Sequence, residues 1–193
     1  MKIPSFLLVS ILSLVLAPAS LKASVTLTGF GTGQYLSTFT DFTTEIQTPT
    51  TYQVIGNDFG QSAYGDLQPS TVDITGSTSY LTLTATFSGT ATSVFNIELF
   101  DTIGNSRLYK ANFSSFTQNV PTSVDFSFFS QTGSFNNTVS SLGFTTSGTG
   151  STVSIIMDNL TANPVAAPEP SSIALLGLGM VGLLSYRRPV SRR

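Results

Sequence analysis

Cysteine, histidine and tryptophan are all absent from this 193-residue chain. Without cysteine there can be no disulfide, thiolate metal site, cysteine nucleophile or lipidated N-terminal cysteine. Without histidine, imidazole general-base chemistry, imidazole metal ligation and any histidine-dependent triad are excluded. Charge is scarce too: charged residues make up 9% of the sequence, and six of the eight basic ones (Lys2, Lys22, Arg187, Arg188, Arg192, Arg193) lie in the two ends. The body keeps only Arg107 and Lys110 against nine carboxylates, a net −7. So acidic a body has no footprint for a phosphate backbone, which argues against nucleic acid as a partner.

What is abundant is serine and threonine, interleaved with Phe, Val, Ile and Leu. β-Branched and aromatic residues in alternation suit half-buried strands. In Leu81-Thr82-Leu83-Thr84-Ala85-Thr86-Phe87 the apolar residues fall on one face and the threonines on the other, predicting an antiparallel strand with one wet face. Phe95, Ile97 and Leu99 repeat the pattern with Asn96 and Glu98 outward, as do Val124, Phe126 and Phe128 with Asp125 and Ser127 opposite. Shorter candidates lie at 25–28, 51–55, 71–75, 108–113, 141–145 and 152–161, separated by turn chemistry at Gly56-Asn57-Asp58, Ser88-Gly89, Ile103-Gly104-Asn105, Thr132-Gly133-Ser134 and Ser147-Gly148-Thr149-Gly150. Eight to ten strands with no helical periodicity in the body predict an all-β fold, an antiparallel two-sheet sandwich or jelly roll, over residues 24–163.

The two ends read differently. Residues 1–23 have a basic start at Lys2, an apolar run from Phe6 to Leu16 and small residues after it, the form of a secretory signal peptide cleaved after Ala23 or Ala19. Residues 164–170 are an extended Pro/Ala linker ending in Pro168-Glu169-Pro170, and residues 171–193 carry an apolar run followed by Arg187, Arg188, Arg192 and Arg193. As a helix, Ser171 to Tyr186 is about 24 Å long at about 1.5 Å per residue, slightly short of a hydrocarbon core of about 30 Å. The arginines then stay on the cytoplasmic side and the proline motif at the outer surface. Gly177-Leu178-Gly179-Met180-Val181-Gly182 fits G-x-G-x-x-G, but with no preceding strand it reads as a close-packing face for another helix.

The string PEPSSIALLGLGMVGLLSYRRPVSRR resembles the PEP-CTERM sorting tail of exported bacterial proteins. The resemblance implies the secretion machinery, membrane transit and a membrane-embedded exosortase as partners. It also implies a cell-surface, extracellular-matrix or biofilm destination and a non-catalytic role. The body loosely resembles carbohydrate-binding jelly-roll modules through Gly60, Asp66, Val72-Asp73-Ile74 and the Asp158-Asn159 pair near the end of the last strand. That resemblance implies a polysaccharide ligand and a structural calcium ion at Asp158; otherwise no cofactor is expected. Tyr64, Tyr80 and Tyr109 are the candidate surface aromatics for glycan stacking. A glycan hydrolase would need paired carboxylates. Glu98 and Asp101 are the closest strand pair, but three residues apart on a strand they point to opposite faces.

Overall fold

A computed structural model describes residues 23–90 and 94–164. The apolar run of the signal segment, Ala19, the PEP motif at Pro168, Glu169 and Pro170, the sorting helix and the four terminal arginines lie outside them. Among the described residues no helix is long and apolar enough to cross a membrane.

The body is all-β. Its strands are β1 (Val25–Thr28), β2 (Tyr35–Thr40), β3 (Thr44–Gln47), β4 (Tyr52–Asn57), β5 (Ser62–Leu67), β6 (Val72–Asp73), β7 (Tyr80–Gly89), β8 (Val94–Asp101), β9 (Ser106–Asn112), β10 (Thr122–Thr132), β11 (Thr138–Ser147) and β12 (Thr152–Asn163). One 3-10 turn, Phe113–Ser115, joins β9 to β10. Hydrogen bonding links ten strands in the order β2-β5-β11-β8-β9-β10-β7-β12-β4-β3, with β1 added to β12 and β6 to β11. Every strand pair is antiparallel.

The path folds back on itself as a sandwich. Phe95 of β8 meets Phe126 of β10 edge to face at 5.7 Å between centroids, although β9 lies between their strands in the sheet. The two ends of the path meet as well. Tyr35 of β2 packs on Tyr52 of β4 at 5.0 Å, and the Gln47 side-chain amide at the end of β3 donates to the carbonyls of Phe30, Gly31 and Tyr35. Sheet edges are exposed hydrogen-bonding templates, and a side-chain amide here covers part of one.

The clearest alternations appear as predicted. In β7 Leu81, Leu83, Ala85 and Phe87 are buried, and in β8 Phe95, Ile97 and Leu99 are, with the intervening residues half-exposed. In β10 the pattern fails after Phe126. The pairing with β9 shifts register between Phe128 and Ser130, and Phe128 stands 47% exposed against the edge of Tyr109. The slip begins only after Phe128, which still shares the face of Val124 and Phe126; alternation gives the face of a side chain and not how completely that face is covered. Three strands went unpredicted: β2, β3 and β5. The inward positions of β5 are Ala63, Gly65 and Leu67, two of them too small to mark a core face; β2 carries a bulge between Ser37 and Phe39; and β3 is an edge strand with no buried residue.

Nine rings run through the core in contact: Tyr52, Tyr35, Phe30, Phe144, Phe95, Phe113, Phe87, Phe116 and Phe126. Phe95 is the junction, touching Phe113, Phe126 and Phe144. Phe30 reaches the column from a left-handed backbone, φ 59°, which the buried Thr28 hydroxyl fixes by accepting its N–H at 2.9 Å. At the seam the Tyr35 hydroxyl is buried without a hydrogen-bond partner. Burial above all, then Tyr52, Glu45 and Asp66, pushes its pKa far above the ordinary phenol value.

Urea denaturation of the full chain in detergent checks this reading of the core. Phe95→Ala should cost about 3–5 kcal/mol, the range for truncating a buried aromatic. Tyr35→Phe should be neutral or stabilising by about 1 kcal/mol, since it removes a hydroxyl that folding desolvates without return.

Candidate functional site

The two outer faces of the sandwich are chemically different. On β7 and its neighbours the threonine hydroxyls are occupied by each other's polar groups. Thr82 Oγ1 donates to Asp125 Oδ1 at 2.6 Å and accepts from Asn163 Nδ2 at 2.8 Å, while Thr84 and Ser123 share a hydroxyl bond at 2.8 Å. A face that satisfies itself has little left to offer a ligand.

The face formed by β2, β5, β11 and β8 carries aromatic rings. Phe39 on β2 is 53% exposed and lies 6.1 Å from Tyr64 on β5, which lies 6.0 Å from Phe100 on β8. The strand between them, β11, contributes Gly143, paired across to Tyr64 on one side and Glu98 on the other. A Cβ built on Gly143 would stand 2.5 Å from Tyr64 Cε1 and 3.3 Å from Phe100 Cε2, so both rings lie down over this glycine. The missing side chain turns three rings into a strip crossing the strands. Beside it lie Leu36, exposed on β2, Asp66, exposed and paired with Leu36 and Ser141, and Glu98. The rings are tilted to one another by 41° and 56°, so the strip twists with the sheet.

Of the three tyrosines singled out from sequence, only Tyr64 belongs to this strip. Tyr80 is half-exposed at the start of β7 on the hydroxyl-rich face. Tyr109 is fully buried, against its assignment to the surface, and its hydroxyl donates to the Thr78 carbonyl at 3.0 Å. It shares a face of β9 with the inward residues, which the short apolar pattern there did not reveal. Phe39, Phe100 and Gly143 were not anticipated, because a strip across four strands has no signature along any one of them.

The carboxylates are dispersed. Glu98 falls with the half-exposed set of β8 and Asp101 with the buried set, on opposite faces as the spacing requires. Asp101 clamps the β8–β9 turn: its oxygens accept from the backbone N–H of Ile103, Asn105 and Asn136 and from the Asn105 amide. Desolvation works to raise its pKa, but these donors together outweigh it and hold the carboxyl below its ordinary value. Asp58, also buried, accepts from the N–H groups of Gly150 and Ser151 at 2.7 Å each, tying the β4–β5 loop to the β11–β12 turn. Asp158 sits within β12, the last strand, where the pairing with β7 skips between Met157 and Asn159, and its burial raises its pKa. Calcium collects six to eight oxygens, usually from several carboxylates. Among the described residues no three acidic groups gather around Asp158 or elsewhere.

With the geometry in place, the comparisons locate the chain among known proteins. A family model described as the PEP-CTERM protein-sorting motif matches residues 166–188. The chain ends in a PEP-CTERM sorting motif. This motif implies an exported protein that crosses the membrane for sorting and is processed by a membrane-embedded exosortase. No curated protein sequence matches the chain. Among solved structures, an agarase superposes with a TM-score of 0.56 at 9% identity over 77% of this chain and 26% of its own, so the chain spans about a quarter of that enzyme's length. The family 11 carbohydrate-binding module of a cellulosomal cellulase of Clostridium thermocellum superposes with a TM-score of 0.47 at 10% identity, over 75% of this chain and 97% of its own. A family 30 carbohydrate-binding module gives a TM-score of 0.43 at 12% identity, over 74% and 99%. At such identity the agarase match is a likeness of fold alone.

The opposite shifts of Asp101 and Asp158 give a test by acid titration of stability. The Asp101 contribution is present above its unfolded pKa, near 3.8, and is lost as pH falls through the depressed folded value. Asp158 works the other way, its raised folded pKa opposing folding at neutral pH. Asp101→Asn should therefore lower the melting temperature at pH 7 and flatten the acid limb, while Asp158→Asn should raise it at pH 7. The reverse order of melting temperatures would contradict both assignments.

Proposed function

We propose that the protein is an exported, non-catalytic polysaccharide-binding component of the cell surface or extracellular matrix, its sandwich holding a glycan chain along Phe39, Tyr64 and Phe100. The strip laid over Gly143 is the observation that carries this reading. Aromatic rings stack on the apolar faces of pyranoses, while polar groups placed beside them give orientation. Here Asp66, Glu98 and Ser141 are the neighbouring acceptors and donors. Because the rings are tilted, the strip suits a single twisted chain rather than the flat surface of a crystalline polymer. The non-catalytic reading is supported by the carboxylates: the buried ones, Asp58 and Asp101, are engaged by turn N–H groups, and Glu98 and Asp101 face opposite ways.

Affinity electrophoresis of the full chain in gels containing soluble polysaccharides tests the proposal. Retardation should occur on at least one neutral polysaccharide and fall about tenfold or more in the double variant Phe39→Ala, Tyr64→Ala, because stacked aromatics are the usual hot spots of such sites. Both side chains lie on the surface, so folding should persist. Unchanged retardation would reject the strip, and release of reducing ends from the bound polymer would reject the non-catalytic reading.

We also infer where the signal segment is cleaved. The buried hydroxyl of Ser77 donates to the carbonyl of Ala23 at 2.9 Å, so residue 23 is bound into the sandwich. Of the two signal cleavage positions, Ala19 leaves this bond intact and Ala23 would remove it. N-terminal sequencing of the exported protein should begin at Ser20; a start at Ser24 would refute the assignment.

A further inference from the structure

Arg107 and Lys110 are the cations of the body, and Arg107 is held in an unusual way. Its Nε donates to Gln131 Oε1 at 2.7 Å, one Nη donates to Asn137 Oδ1 at 3.0 Å, and its guanidinium lies 4.7 Å from the Phe135 ring centre. All of these partners are uncharged. Arg107 also acts on the Tyr109 hydroxyl, whose pKa burial raises and the guanidinium partly pulls back down, and no carboxylate pairs with it among the described residues. A planar guanidinium fixed on two edges and stacked on a ring is preorganised, and its charge is left for something else.

It borders a cleft of about 280 Å³ lined by Thr78, Ser79, Arg107 and Phe128. Thr78 and Ser79 come from the turn leading into β7, Arg107 from β9 and Phe128 from β10, where its ring stands half-exposed opposite Tyr109. The cleft floor is firm, since the buried Tyr109 hydroxyl bonds the Thr78 carbonyl. One fixed cation, one exposed ring and two hydroxyl-bearing residues then surround a space for a small ligand. A phosphate would ask for more donors than one side chain and for relief from a body charge of −7; a single carboxylate matches a single guanidinium. The exposed ring and the hydroxyls suit the rest of a pyranose.

We propose that this cleft binds the carboxylate of a uronic acid residue, with Arg107 as its charge partner and Phe128 as the stacking face. The proposal rests on the glycan-binding reading above, but occupies different residues from the aromatic strip and would add recognition of a single acidic sugar to it.

The test is an NMR titration of the full chain in detergent with glucuronate, its uncharged methyl ester and glucose. Glucuronate should produce saturable shifts at the amides of Thr78, Ser79 and Phe128, with the ester and glucose weaker by about tenfold or more, as expected when a charged hydrogen bond is lost. Arg107→Gln should abolish that preference, Arg107→Lys should keep part of it, and Phe39→Ala, Tyr64→Ala should leave it unchanged. Equal binding of acid and ester, a preference surviving in Arg107→Gln, or no saturable shift at these amides would overturn the proposal. If the strip double variant loses polymer retention while glucuronate still binds at Arg107, both sites stand. If neutral polymers never bind but glucuronate does, the strip fails alone.

Discussion

The nine-ring column is what this sandwich cannot do without. A domain with no cysteine has no covalent staple, so beyond the strand ladder and the Gln47 bonds at the seam the two layers are held by burial, and the largest burial per residue comes from aromatic rings. The column begins at the seam with Tyr52 and Tyr35, passes through Phe30 and Phe144 to Phe95, and ends among Phe113, Phe87, Phe116 and Phe126. Loops are therefore part of the core: Phe30 lies between β1 and β2, and Phe113 and Phe116 lie between β9 and β10. Connections that supply core rings must be fixed in place, which explains the Thr28 bond to Phe30 and the compact 3-10 turn at Phe113.

Much of the architecture was legible because a sheet with one wet face writes its period into the sequence, as Leu81 to Phe87 and Phe95 to Leu99 do. Where that period is interrupted, legibility stops. β5 hides its core face behind Ala63 and Gly65, β2 is broken by a bulge, and β10 slips after Phe128. Two of the strip's three rings, Phe39 and Tyr64, sit on strands of this hidden kind, and its centre is a glycine whose role is the absence of a side chain. The tail was readable for the opposite reason. A sorting signal acts in a linear order of proline motif, apolar run and arginines, and linear order is what a sequence displays directly.

The contrast between the outer faces is an argument about hydration. Threonines on β7 bind Asp125, Ser123 and Asn163, so this part of the face stays polar at little cost. On β2, β5 and β8, Phe39 is exposed and Tyr64 and Phe100 half-buried, the apolar surface on which the proposed glycan contact rests. The body's cations follow the same division, each lying over a ring: Lys110 Nζ is 3.3 Å from the Phe129 ring centre and Arg107 4.7 Å from that of Phe135. Placing cations over rings rather than beside the nine carboxylates leaves their charge unneutralised.

Chain entry and exit complete the reasoning. β1 and β12 are antiparallel partners, with Val25 opposite Ala162, so the first and last strands lie side by side in the layer that contains β7. The aromatic strip belongs to the other layer, on β2, β5 and β8. The described domain thus begins and ends in the layer that contains β7. On the glycan-binding reading proposed above, the strip and the two ends of the described domain therefore lie in different layers. Pairing the terminal strands together in one layer achieves the separation with backbone hydrogen bonds alone, and the Ser77 bond to Ala23 extends it to the point where the domain begins.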